Sequence, residues 1–370
     1  MTPLIVAARR SAIGTAGHAF ADLDAGSLAA PVLARVAGDV AALGTPDEVV
    51  LGNCMGPGGD VARVATIAAL GNDVPALTVD RQCGSGLAAL EVAAGLVHAG
   101  AELVLAGGVE SASTAPWRMW PPADDEPAVR YERAPFAPAG HPDPDMGVAA
   151  DELAASRGIT RARQDEYAAR SHQRAWQAMS EGAFAAEIVA IEGLDRDQRP
   201  RSNMTATRLG RLPAAYGPDG TATAGNSCGI NDGAAILALT PDTTGLPGLR
   251  VLATASAGVD PALPGIGLVP AVRAALRRAG VGLGDIDVVE LNEAFAGQVL
   301  ACCHDLDLDP ERVCPQGGAL ALGHPWGASG AVLGVRLFSQ MIRGGTGDLG
   351  LAAIAVGGGQ GVAMVVEACR

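Results

Sequence analysis

Residues 28–53, LAAPVLARVAGDVAALGTPDEVVLGN, and residues 267–292, GLVPAVRAALRRAGVGLGDIDVVELN, carry the same signals in the same order. Proline sits near an expected helix start in each (Pro31, Pro270), an Ala/Val/Leu helix follows, and a glycine ends it (Gly44, Gly280). An acidic turn then leads to a Val-Val strand, Val49-Val50 or Val288-Val289, which stops at Asn53 or Asn292. The correspondence continues outward. Gly84-Ser85-Gly86 and Ala328-Ser329-Gly330 each open an apolar helix, and strands ending in glycines follow at LVLAGG (103–108) and LAAIAVGGG (351–359). Helices alternating with continuous apolar strands indicate parallel sheet covered on both faces. The sequence therefore predicts an α/β fold of two pseudo-symmetric αβα halves, because a matched series in order is hard to obtain by chance.

Composition fits this architecture. The chain has 370 residues, of which 49% are apolar and only 3% aromatic, with 50 glycines, so Ala, Val and Leu must carry a closely packed interior. Its net charge of −14 supplies no general positive field to release counterions, which argues against nucleic acid as a partner. Glu91, His98 and Glu102 interrupt the longest apolar stretch, so no membrane span is expected. The opening MTPLIVAARRSAIG reads as a strand and turn rather than a signal peptide. Seven scattered cysteines without CxxC pairs suggest reduced thiols and a cytoplasmic setting.

Between the halves, from about Thr114 to Asn226, lie proline-rich runs, one polar helix pattern (160–182) and the basic run RDQRPR. This segment reads as an excursion that folds over the active face. Its arginines 161, 163, 170, 174, 196, 199, 201, 208 and 211 offer an anionic substrate a local basic patch, although most of them individually read as solvating a surface helix and loop.

Four segments carry chemistry. Cys83 follows LTVDRQ and precedes Gly-Ser-Gly and an apolar helix, which places its sulfur at a strand-to-helix turn. A helix amino terminus favours thiolate and leaves N–H groups free for an oxyanion. CGSG on its own would better describe a small buried residue at a tight turn. His324 lies in GGALALGHPWGASG, where glycines let backbone approach a ligand and Pro325 fixes the chain, as a base or oxyanion donor requires. Asn292, in LNEAFA, is placed to orient water or a ring nitrogen, and Glu293 beside it reads as a cap of the next helix. VGGGQG (356–361) offers N–H groups free of side-chain obstruction, or an ordinary turn.

Together these segments resemble the thiolase family. VDRQCGSGLAAL is similar to its nucleophile motif, ELNEAFA to its Asn-Glu-Ala-Phe motif, GGALALGHPWGASG to its Gly-His-Pro motif and VGGGQGVA to its C-terminal glycine motif. GGVESAS (107–113) and TAGNSCGINDGAA (223–235) extend the resemblance over nearly the whole chain. It implies a five-layer αβαβα fold, with residues 1–250 as one half carrying an inserted loop domain at about 114–225, and residues 251–370 as the other. It also implies an acyltransferase using coenzyme A thioesters, a homodimer or homotetramer, and no metal or covalently bound cofactor. Cys83 would be acylated, His324 would activate it and help hold the substrate oxygen, Asn292 would fix a water, and the N–H groups of Cys83 and Gly357 would hold the acyl oxygen.

One departure stands against these matches. The resemblance expects a second cysteine two residues before Gly357, to shuttle a proton, and Ala355 stands there. Asp145 precedes Met146 where His-Met is common near the thioester, and Ala253 falls where a coenzyme-contacting serine is common. Cys228 and Cys54 are weak candidates for a replacement thiol. Three readings follow. The first makes or cleaves a carbon–carbon bond of a 3-ketoacyl thioester, with decarboxylative condensation suiting Ala355 because it needs no α-proton removal. The second transfers the acyl group to a heteroatom acceptor or water. The third is a non-catalytic acyl-CoA-binding subunit, which has no need to keep Cys83, His324 and Asn292 together.

Overall fold

The computed structural model describes residues 1–122, 126–131 and 133–370. At its centre the strands run, edge to edge, Ala76–Val79, Glu48–Gly52, Val104–Ser111, Asn231–Pro241, Pro3–Ser11, Gly248–Gly258, Gln360–Cys369, Leu349–Val356 and Val288–Leu291. From the middle outwards the two sides repeat. Pro3–Ser11 and Gly248–Gly258 meet antiparallel at Leu4 with Arg250 and Ile5 with Leu249. Each is followed by an antiparallel strand, then by a parallel pair, Val104–Ser111 with Glu48–Gly52 or Leu349–Val356 with Val288–Leu291. Where one side adds Ala76–Val79, the other has a single parallel bridge from Val289 to Val313. Asn53 and Asn292 each stand one residue beyond the end of corresponding strands.

Period-two alternation sorts the strand side chains into separate cores. Along Asn231–Pro241, Ala235, Leu237 and Leu239 face a middle core while Ala234, Ile236 and Ala238 face an outer one. Along Leu349–Val356, Ala352, Ile354 and Val356 join the same middle core, and Leu351 and Ala353 face the opposite outer one. Helices Ser85–Ala99 and Trp326–Phe338 fill the middle. Ala25–Asp39 and Val61–Leu70 cover one outside, Leu268–Ala279 and Ala296–Leu306 the other. The result is five layers, αβαβα.

The two middle helices touch through glycine. A Cβ on Gly330 would stand 2.3 Å from the Leu87 nitrogen, and one on Gly86 would stand 2.8 Å from the Ala331 nitrogen. Only glycine permits backbones this close. The contact brings together the helix starts that follow Cys83 and His324.

Three sequence expectations need correction. Pro31 does not mark a helix start: Ala25–Asp39 begins well before it, where the Asp24 side chain accepts the Ser27 N–H at 2.7 Å. Capping by aspartate sets the boundary, and Pro31 is tolerated inside the helix on its exposed side. The excursion also does not lie wholly outside the layers. Ala175, Ala178 and Phe184 enter the middle core, and Ile188–Val189 pairs with Arg10 and Ser11 at the sheet. Burial of these few apolar residues outweighs the polar composition around them. Nor are all nine arginines free to form a basic patch. Arg161 pairs with Asp165, Arg163 with Glu166, and Arg170 and Arg174 with Glu311. Among the described residues no helix is long and apolar enough to cross a membrane.

Candidate active site

Strand Ala76–Val79 and helix Ser85–Ala99 leave Cys83 in the turn between them. Gln82 takes φ 45°, a left-handed conformation that costs most residues energy. The turn is held by four hydrogen bonds to that residue. Its carbonyl accepts from the Ser85 N–H at 2.9 Å, the Ser85 hydroxyl at 2.6 Å and the Cys54 thiol at 2.9 Å, and its N–H donates to Asp80 Oδ1 at 2.8 Å. Burial pushes the Cys83 thiol up to about 12, with Glu110 and Asp80 adding to the rise, while the N–H groups of Cys83 itself and Gly357 pull it down. Those two N–H groups therefore already face the sulfur, where an acyl oxygen would later sit.

His324 is fixed from both sides. Its N–H donates to Asn231 Oδ1 at 3.0 Å, and Asn231 Nδ2 donates to the Gly14 carbonyl at 2.8 Å. Its Nδ1 lies 2.6 Å from Ser329 Oγ, whose hydroxyl donates to the Pro325 carbonyl at 3.1 Å. With the hydroxyl proton committed to that carbonyl, Nδ1 carries the ring hydrogen and Nε2 is left as an acceptor. Burial draws the imidazole down to about 4, so it is neutral at pH 7.

A cavity of about 330 Å³ joins Cys83, His324, Gly357 and Met146, walled in part by Phe136 and Trp326. A Cβ at Gly357 would stand 2.6 Å from Phe136 Cε2, so a side chain there would have to displace that ring. Asp145 acts here as the cap of helix Met146–Ser156, accepting the Gly147 N–H at 2.8 Å, and so presents Met146 to the cavity. Asn292 is buried. Its N–H donates to the Ala353 carbonyl at 2.9 Å, and with Ser329 and Arg336 it lines a separate cavity of about 20 Å³. Ala355 is half-buried on the strand before Gly357, against the outer core, and Ala253 pairs with Val365; neither lines the main cavity.

Sequence reading missed several supporting residues. Ser329, read as part of a turn, sets the histidine tautomer. Glu110 is a buried carboxylate accepting from Asn53 Nδ2 at 3.1 Å and from the N–H groups of Met55 and Gly327 at 3.1 and 3.0 Å. Glu293 does not cap helix Ala296–Leu306, which starts at Phe295 without a side-chain cap. It accepts instead from the Tyr167 hydroxyl at 2.9 Å, the Ser171 hydroxyl at 2.7 Å and the Leu320 N–H at 3.2 Å, tying the excursion to the His324 loop. No local pattern in the sequence announces partners so distant along the chain.

The family model Thiolase, N-terminal domain matches residues 4–243, and Thiolase, C-terminal domain matches residues 247–368. The chain belongs to the thiolase family. Similar relatives include the acetyl-CoA acetyltransferases of Pseudomonas aeruginosa, 42% identical, and Escherichia coli, 41% identical, in both cases over 98% of either chain. The crystal structure of the Bacillus anthracis acetyl-CoA acetyltransferase superposes with a TM-score of 0.91 at 38% identity, covering 100% of this chain and 99% of that one. The thiolase motifs quoted above thus sit in a thiolase fold, and the chain is an acyltransferase of coenzyme A thioester chemistry.

Proposed function

We propose that this thiolase carries its acyl group on Cys83 and makes or cleaves the carbon–carbon bond of a 3-ketoacyl thioester. The observation that carries the reading is the single cavity in which Cys83, His324 and Gly357 meet. In the first half-reaction the Cys83 thiol passes its proton to His324 Nε2 as sulfur attacks the carbonyl. The high thiol and low imidazole values mean that the resting pair is neutral, so charge forms only as the bond does. The N–H groups of Cys83 and Gly357 then hold the acyl oxygen. Met146, Phe136 and Trp326 give the acyl chain an apolar wall. Coenzyme A enters as substrate.

Ala355, standing where the resemblance places the second cysteine, supports a second reading of the other half-reaction. With a malonyl-type partner, loss of carbon dioxide generates the carbanion without a base. Intact-protein mass spectrometry after incubation with acetyl-CoA, acetoacetyl-CoA and malonyl-CoA tests both. We expect a stable acyl adduct on the protein that is absent from Cys83→Ala; no adduct with any thioester would end the catalytic reading. Two halves, 1–250 with the insertion at about 114–225 and 251–370, are supported by the repeated strand order. A homodimer or homotetramer, to be measured by sedimentation equilibrium, and a cytoplasmic setting, in keeping with seven free thiols, complete the proposal.

A further inference from the structure

Besides the nucleophile, two thiols line the catalytic cavity, Cys54 and Cys228. They differ in what they are free to do. Cys54 donates to the Gln82 carbonyl at 2.9 Å and stands beside the Glu110 carboxylate, so its hydrogen is committed to holding the nucleophile turn and its ionisation is opposed. Cys228 is half-buried, and no hydrogen bond engages its sulfur among the described residues.

The loop that presents Cys228 is fixed on both sides. Its N–H donates to the Ala294 carbonyl at 2.9 Å, and the Ala296 N–H donates to the Asn226 carbonyl at 2.9 Å. Two residues on, Ile230 bridges to His324. Cys228 is thus held between the Asn292 loop and the catalytic histidine. Burial first, and then the nearness of Cys83, raise its thiol to about 12, and the Arg199 guanidinium pulls the other way. Arg199 packs directly on the next residue: a Cβ at Gly229 would stand 2.4 Å from Arg199 Nη1. Arg199 Nε is buried without a partner, and no carboxylate pairs with this guanidinium among the described residues. A half-buried cation without an anion fits a neighbour that becomes an anion during turnover.

We propose that Cys228, with Arg199 behind it, is the proton donor and acceptor that serves the α-carbon in place of the thiol missing at Ala355. The inference rests on acylation of Cys83. In cleavage, Cys83 sulfur adds to the 3-keto carbon, the bond between that carbon and the α-carbon breaks, and its electron pair goes to the α-carbon. The Cys228 S–H proton follows that pair, releasing acetyl-CoA and leaving a thiolate beside Arg199. Incoming coenzyme A returns a proton to Cys228 as its sulfur takes the acyl group from Cys83. A thiol held high is protonated at rest, as a donor to a carbanion must be. Synthesis runs the same steps in reverse.

The test compares the parent protein with Cys228→Ala and the near-isosteric Cys228→Ser, all checked by thermal melting. Acylation of Cys83 by acetyl-CoA is followed by mass spectrometry, and exchange of the acetyl-CoA α-hydrogens is followed in deuterated water. We expect both variants to acylate as the parent does while losing about 10²- to 10⁴-fold in α-exchange and in acetoacetyl-CoA thiolysis. Adding Ala355→Cys to Cys228→Ala should restore part of the loss. Unchanged α-exchange in a folded Cys228 variant overturns the assignment and leaves acylation standing. Failure of the parent protein to acylate removes the assignment and the proposed function together.

Discussion

At Ser329 a single hydroxyl decides which nitrogen of His324 is basic, through the 2.6 Å contact to Nδ1 and the 3.1 Å bond onward to the Pro325 carbonyl. Ser329→Ala leaves Nδ1–H buried without an acceptor, at about 1–3 kcal/mol, and frees the ring to take the wrong tautomer. We expect the rate of Cys83 acylation to fall roughly 10-fold or more, in keeping with that energy, with little change in KM. Stopped acylation assays measure this, and an unchanged rate would remove Ser329 from the site. Cys83 and His324 were legible in the sequence because each sits in a glycine-dense segment next to a proline or a helix start. Ser329 was visible only as part of a turn, since its role depends on where the imidazole points. Asn292 was read as a partner within the same site, and it lines a small cavity together with Ser329.

Helix Ala25–Asp39 carries Pro31 in its interior on an exposed position. A proline there removes one helical hydrogen bond and crowds the preceding turn, at about 3 kcal/mol, offset by roughly 1 kcal/mol of entropy withheld from the unfolded chain. Pro31→Ala should therefore stabilise the protein by roughly 2 kcal/mol, seen as a rise in the urea midpoint at unchanged slope; a fall would mean that the proline shapes a contact. The opposite holds between the middle helices. Gly330→Ala would drive a methyl to 2.3 Å from the Leu87 nitrogen, which is backbone and cannot turn aside. Overpacking of this kind costs about 1–3 kcal/mol or more, and the midpoint should drop accordingly. The existence and order of the helices and strands were readable from periodicity and glycine. Their boundaries were less so: Pro31 was read as lying near a helix start, and the cap that sets the start, Asp24, stands well upstream. The excursion was read as an outside feature from its polar composition, and the burial of Phe184 made part of it core.

Six thiols, at Cys54, Cys83, Cys228, Cys302, Cys303 and Cys314, are all pushed up, chiefly by burial. Below the ordinary thiol value of 9.0 both folded and unfolded chains hold these protons, so they contribute no pH dependence. Above it the unfolded chain releases them while the folded chain keeps them, up to about 12 for Cys83, Cys228 and Cys303. Unfolding therefore releases protons, and stability falls as pH rises from about 9, by up to about 1.4 kcal/mol per pH unit for each thiol. Arg343, drawn down to about 10 by burial, opposes this as a single group. We expect melting temperatures to decline steeply above pH 9, and a protein with Cys302→Ala and Cys303→Ala to decline less steeply. An equal slope in that variant would show that thiol burial is not the cause. The fold class and the family motifs that hold Cys83 and His324 followed from the sequence, because hydrophobic period and glycine-rich turns are local and act on neighbours in the chain. Tertiary structure alone decided which thiols share the cavity with Cys83, which carboxylates hold the loops, and where Arg199 packs. Those depend on segments well separated along the chain meeting in space, as Glu110 meets Gly327, and no local signal encodes such a meeting.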